Sequence, residues 1–297
     1  MQNFIYLIIH ILFALGMFIS LKLINIKGVN IYKAITINYA VAAFLNYANL
    51  SFSQEPWLYR IEMLLPSAGV AFLFVVSFIL MSYSTQKVGI GLTTALNKMS
   101  VLIPVTVGIL YLGQDNQLPI KLTGIAIALA SFVLILYKKS KNRSKGAVIL
   151  PLMVFIVSGM IDTSMELSHN YVIRDIHENE VFLLSVFSFS VLFSLMAVLV
   201  DSYGAKRKRS NIENKNILSR TIWLGSMLGV FNFLTSKMIL INVGSMGGSV
   251  VYPIHNASVV TFTALIGLFF FKEKFTARQW AGVILAVLGV SMIASTL

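Results

Sequence analysis

Residues 88–114 read VGIGLTTALNKMSVLIPVTVGILYLGQ, and residues 247–273 read GGSVVYPIHNASVVTFTALIGLFFFKE. Laid one over the other, Gly89 meets Gly248, Asn97 meets Asn256, Val101 meets Val260, Gly108 meets Gly267 and Gln114 meets Glu273. After a one-residue gap the match continues, with Gly124 on Gly282, Ala128 on Ala286 and Ile135 on Ile293. Near the front of each half, Gly16-Met17 falls on Gly159-Met160 and Ser20 on Thr163. Apolar sequence aligns easily by chance, so the Gly and Ile matches are weak singly. An Asn in the middle of an apolar run is rare, and the Asn97/Asn256 pair carries the comparison. Repetition of a whole unit determines architecture before any motif does.

Working outward, apolar segments recur at about 4–25, 31–50, 63–83, 88–113, 119–137, 147–171, 181–200, 219–241, 244–271 and 276–296. Each is close to the roughly 20 apolar residues that cross a bilayer as a helix. Transmembrane strands would instead read as ten-residue alternations. The chain of 297 residues is 57% hydrophobic and only 11% charged, against about a quarter charged in soluble domains. Its mean hydropathy is +0.84. Met1–Phe4 contain no Lys or Arg and no small-x-small site follows, so the first run reads as a spanning helix and not a signal peptide. The expectation is an all-α integral membrane protein of ten transmembrane helices. Residues 1–140 and 141–297 form its two five-helix repeats. Five is odd, so the repeats enter the membrane in opposite orientations, an arrangement of secondary transporters with a site near the midplane.

The net charge of +12 would suggest nucleic acid on a soluble protein, but no nucleic-acid-binding motif accompanies it. Of the 23 Lys and Arg, eighteen flank the odd-numbered connections, three flank the even-numbered ones, and Lys98 and Lys237 lie within spans. The positive-inside rule then places the basic loops 138–146 and 201–219 in the cytoplasm and both termini outside, in the inner (plasma) membrane of a cell. Cysteine is absent, which removes disulfides, thiol nucleophiles and Cys-built metal sites; no cofactor and no metal site is expected.

Ionisable groups within spans are expensive and mark function. Asp162 and Glu166 are four apart on one helical face, a stripe that Ser158 and His169 extend, and they read as a coupling site for a proton or cation or as a salt-bridged structural pair. Lys98, about ten residues into its span, suits a substrate carboxylate or phosphate, or an internal partner. Lys237 is a further candidate for substrate binding, though it lies near a helix end and can snorkel, and Lys22 still nearer one is expected to do so. Tyr252, His255 and Asn256 share a face beside Pro253, placing Asn256 opposite Asn97 as lining of a cavity. Asn232 is a weaker candidate, and His10, a lone polar residue, reads as structural. Pro104 and Pro253 kink helices and free carbonyls.

The run Phe271-Lys272-Glu273-Lys274-Phe275-Thr276, then Gln279-Trp280-Ala281-Gly282 and Gly289-Val290, resembles the close of EamA-type proteins of the drug/metabolite transporter superfamily. Pro104, Leu112-Gly113-Gln114 and Gly124 repeat the plan in the first half, with Gln where the family usually has Glu. The resemblance spans essentially the whole chain. It implies alternating-access carriage of a small metabolite, often export of amino acids or related compounds. Ala95-Leu96-Asn97-Lys98 is similar to part of the GALNK motif of nucleotide-sugar transporters, with Thr94 for Gly, which implies a ligand role for Asn97 and Lys98. The helix of Asp162 resembles the first helix of small multidrug resistance proteins, where a carboxylate couples transport to protons. These families are drawn with cytosolic termini, against the charge count.

The reading is therefore a secondary transporter, not an enzyme, for an amino acid, related zwitterion or organic anion, as monomer or homodimer in the lipid bilayer. Cationic drug efflux is the alternative. An intramembrane prenyltransferase-type enzyme would need a second acidic cluster beside Asp162-x-x-x-Glu166, and no other span has one.

Overall fold

The computed structural model describes residues 2–52, 60–111, 117–136, 146–174, 176–205, 215–246 and 248–295. Within them the chain is helical, without strands: α1 Gln2–Ile26, α2 Ile31–Phe52, α3 Leu64–Lys87, α4 Ile90–Lys98, α5 Leu102–Tyr111, α6 Leu118–Leu136, α7 Gly146–Tyr171, α8 Ile176–Ala205, α9 Lys215–Met246, α10 Gly248–Phe269 and α11 Ala277–Ala294. Each of the ten apolar segments is occupied by helix, and α8 and α9 run about a turn further into the 201–219 connection than the hydropathy suggests. Among the described residues, seven helices are long and apolar enough to cross a membrane. The helix α2 carries Lys33, Asn38, Asn46 and Asn49.

The fourth segment is not one continuous helix. Met99–Val101 forms a turn of 3-10 helix between α4 and α5. Pro104 explains the break, because its ring has no N–H for the carbonyl of Ser100 and collides with it. A tightened turn in mid-span marks a hinge, and this one follows Lys98 directly.

Large apolar side chains face outward along whole helices: Ile8 and Leu12 on α1, Leu192, Met196 and Leu199 on α8, Ile284 and Leu288 on α11 are all more than half exposed. Exposed apolar surface on this scale fits lipid as the solvent and not water. Inside, Phe18, Leu21, Ile35, Tyr39 and Phe187 join α1, α2 and α8, while Leu96, Ala128, Val260, Ala286 and Ile293 join α4, α6, α10 and α11.

The packing pairs have a regularity. α1 packs on α9 as α7 packs on α3, and α2 packs on α9 as α8 packs on α3. α2 meets α8, α4 meets α10, and α6 meets α11 in the most extensive contact of all. Glycines set that last contact. A Cβ at Gly124 would stand 2.7 Å from Cγ1 of Ile293, 3.1 Å from the Gly289 oxygen and 3.2 Å from the Ile293 nitrogen. A Cβ at Gly282 would stand 2.8 Å from Cγ1 of Ile135, 3.0 Å from the Ile135 nitrogen and 3.1 Å from the Ser131 oxygen. The same three atom types surround both glycines at matching sequence positions.

Candidate functional site

Two walls carry the polar groups. The first is where α4 and the turn after it lie on α7. Asn97 Nδ2 donates to Ser158 Oγ at 2.7 Å, and Ser100 Oγ donates to Asp162 Oδ2 at 3.0 Å. The face of α7 that carries Ile149, Met153, Ile156 and Met160 is exposed outward. Asp162 lies on the opposite side, on the face of buried Val154 and Ser158, and yet is exposed. Asp162 therefore combines an inward-facing position with exposure. Glu166, one turn on, is within electrostatic range of it.

Lys98 ends α4, so its ammonium sits where the helix dipole favours a cation. Asn97 and Lys98 are partly exposed, whereas Ile90 to Leu96 are buried without interruption. The Lys98 and Asp162 charges act on one another, but among the described residues they form neither an ion pair within 4.0 Å nor a direct hydrogen bond.

The second wall is where α1 meets α10. The rings of His10 and His255 stack with centroids 4.0 Å apart and planes 14° from parallel. Nδ1 of His255 lies 3.3 Å from Oδ1 of Asn256. Both imidazoles are buried, and among the described residues His10 Nδ1, His10 Nε2 and His255 Nε2 have no hydrogen-bond partner. The helix α4, which carries Lys98, packs on both α7 and α10. Buried polar atoms without partners are costly.

Six of the residues singled out in the sequence thus come together: Asn97, Lys98, Asp162, Glu166, His255 and Asn256. The side chain of Tyr252 lies outside the described residues. His169 is exposed near the end of α7. Asn232 and Lys237 belong to a different contact, between α9 and α2. Asn232 Nδ2 donates to Asn38 Oδ1 at 3.3 Å, Lys237 donates to Asn49 Oδ1, and Asn49 Nδ2 donates to Glu180 Oε2 at 3.3 Å. The cavity that Asn46, Asn49, Glu180 and Lys237 line is about 10 Å³, space for one water at most. A recess of about 400 Å³ on the exposed face of α9 is walled by Leu218, Ser219, Ile222, Trp223 and Ser226 and holds no ionisable group.

Two expectations are corrected. Lys22 does not snorkel: its Nζ is bound to Thr85 O at 2.8 Å and to Glu273 Oε1 at 2.9 Å. His10 is not a lone polar residue but half of the stacked pair. A helical-face count would have found it, since it falls in the buried stripe of Leu7, Ile11, Ala14 and Phe18. Ser100, the hydroxyl on Asp162, had no signal beyond its place before Pro104. Among the described residues no three His, Asp or Glu are grouped to hold a metal ion.

No protein-family model matches the chain. An uncharacterised protein of Haemophilus influenzae is 24% identical over 301 residues, covering 95% of this chain and 94% of its own. A solved crystal structure is similar in fold, with a TM-score of 0.58 at 12% identity over 96% of this chain and 98% of that one.

The unpartnered rings give a direct expectation. His10→Phe keeps the stacking area and removes two orphaned nitrogens, so thermal stability should hold or rise. A fall in the melting temperature comparable to a core truncation would show that the ring nitrogens have structural partners.

Proposed function

We propose that the protein is a secondary transporter. It carries a small metabolite across the inner membrane by alternating exposure of the recess between α4–α7 and α1–α10. The observation that carries this reading is the accessible, unpaired opposition of Lys98 and Asp162 inside a bundle of apolar helices. An isolated charge at a helix centre costs about 2.5–3.5 kcal/mol on insertion scales. Two such charges held apart are stabilised by water or by a substrate bearing both signs. An amino acid or related zwitterion fits that gap, with its carboxylate on Lys98 and its ammonium on Asp162; an organic anion would use Lys98 and Asn97 alone.

The exchange of helix pairs and the matching surroundings of Gly124 and Gly282 support a five-plus-five inverted repeat. The EamA-type resemblance agrees with it. In such an arrangement rocking of one repeat on the other reopens a fixed site to the opposite side. Asp162 and Glu166, one turn apart on a wetted face, are placed to take up a proton with the substrate. The basic loops are assigned to the cytoplasm, and export is the direction that the resemblance favours.

Thermal stability of the detergent-purified protein across amino acids, organic acids, sugars, nucleotide sugars, phosphates and cationic dyes tests the reading. A ligand at 100 times its dissociation constant adds about 2.7 kcal/mol. We expect a shift with amino or organic acids that Lys98→Ala abolishes. A shift confined to cationic dyes and lost in Asp162→Asn would overturn the substrate class and make the protein a drug exporter.

A further inference from the structure

At one end of the bundle three separate parts of the chain converge on a single carboxylate. Glu273 Oε1 accepts the N–H of Ile90 at 2.7 Å and the ammonium of Lys22 at 2.9 Å, and Oε2 takes the N–H of Gly91 at 3.5 Å. Ile90 and Gly91 are the first residues of α4, which has no capping side chain of its own. A carboxylate there satisfies orphan N–H groups and the positive end of the helix dipole together. Lys22 comes from α1, and its second bond, to Thr85 O, ties in the last turn of α3. Its ammonium also lies 5.7 Å from the centre of the Phe271 ring.

The surroundings are cut to fit this carboxylate. Gly89 sits at φ 97, where a Cβ would stand 2.4 Å from Glu273, and a Cβ at Gly267 would stand 2.6 Å from it. Lys272 adopts φ 52, and the turn is closed by the Glu273 N–H on the Gly267 carbonyl at 2.9 Å. The Lys22 and Glu273 side chains are only 13% and 10% exposed, so theirs is not a screened surface pair worth little.

The clasp stands at the end that the basic connections mark. From it α4 runs inward as a wholly buried helix until Asn97 and Lys98, where partial exposure begins. On α7, exposure on the inward side resumes at Asp162 and continues to His169, toward the opposite end. The recess is therefore shut at the clasp and accessible from the other side. We propose that Glu273 is the gate at the basic end: its bonds to α4 and Lys22 hold the recess closed there. Release of the N-terminus of α4 is the movement that opens it and shifts Lys98 at the other end of the same helix. This rests on the alternating-access reading, and Glu273 acts as a positioning residue because it touches α4 and not the substrate.

The absence of cysteine makes the test clean. Thr94 is fully buried, between the clasp and Lys98, and Met165 lies on the far half of α7. Thr94→Cys and Met165→Cys are introduced singly and labelled with a membrane-impermeant maleimide from each face of oriented vesicles. Lys27→Cys, exposed beside the clasp, identifies the basic face. With Glu273 intact, Thr94→Cys should be inert from that face. Adding Glu273→Ala should raise its labelling about tenfold or more, the scale of one lost charge-assisted hydrogen bond. Glu273→Gln, which keeps a hydrogen-bond acceptor, should raise it less, and Lys22→Met should do so independently. Labelling of Met165→Cys should fall in step. A lower melting temperature in Glu273→Ala with Thr94→Cys still inert well below melting would reduce the clasp to a helix cap and overturn the gate. Labelling that rises at Thr94→Cys while Met165→Cys stays unchanged would support the gate and overturn alternating access.

Discussion

Gly124→Ala and Gly282→Ala should each lower the melting temperature of the purified protein strongly, and by similar amounts. In either case the new methyl group would stand under 3 Å from an isoleucine Cγ1 and within 3.2 Å of two backbone atoms of the facing helix. The isoleucine can change rotamer, but the backbone atoms yield only if α6 and α11 separate. Overpacking of this kind costs about 1–3 kcal/mol, a large part of a total stability of roughly 5–15 kcal/mol. Close approach at small residues is also what holds helices together in lipid, where burial of apolar surface supplies no drive. The diagnostic part is the rescue. Ile293→Ala should relieve Gly124→Ala, and Ile135→Ala should relieve Gly282→Ala, with coupling energies visible in double-mutant cycles. The crossed pairs, Ile293→Ala with Gly282→Ala and Ile135→Ala with Gly124→Ala, should be additive. Coupling in the crossed pairs, or a severe cost at one glycine and none at the other, would contradict equivalence of the two contacts and weaken the inverted repeat.

That pairing shows how far the sequence reached. Gly124 with Gly282 and Ile135 with Ile293 were visible as matched positions in the alignment of the two stretches. What the alignment could not say is that each glycine touches the isoleucine of the other half. Contact between halves is a tertiary fact with no local signature. The helix positions were legible for a simpler reason: a bilayer demands long apolar runs, and hydropathy reports run length directly. The break after Lys98 was legible in Pro104, though not that the chain would tighten into a 3-10 turn there.

The site was legible to the extent that a lone ionisable group in an apolar run must have a reason. That logic found Lys98, Asp162 and Glu166, and the rarity of mid-span Asn found Asn97 and Asn256. Asn232 and Lys237 share those credentials and pair across α2 and α9. Polarity within a span says that a group needs a partner, not whether the partner is a substrate or a neighbouring helix. The expectation for Lys22 failed. Nearness to a helix end suggested the interface, while its actual partner, Glu273, lies 251 residues away in the chain.

Neutralising either charge of the Lys98–Asp162 opposition should have the largest effect on activity. Lys98→Met removes the cation and leaves Asp162 facing the recess with Ser100 alone as a hydrogen-bond donor. Asp162→Asn leaves the ammonium of Lys98 without the opposite charge that acts on it. Losing a charge-assisted hydrogen bond to the substrate costs about 1.5–3 kcal/mol, and every 1.4 kcal/mol is about a factor of ten. Uptake into proteoliposomes of whichever metabolite raises the melting temperature should therefore fall by about one to two decades in each single variant. The double variant separates a transport role from a structural one. With both charges gone, the electrostatic penalty on the empty protein disappears, and Lys98→Met/Asp162→Asn should be as stable as the parent or more so. Its uptake should stay as low as that of the single variants, because both contacts to a zwitterion are missing. Recovery of transport along with stability would show that the two charges only balance each other, and the substrate would then have to be sought elsewhere in the fold.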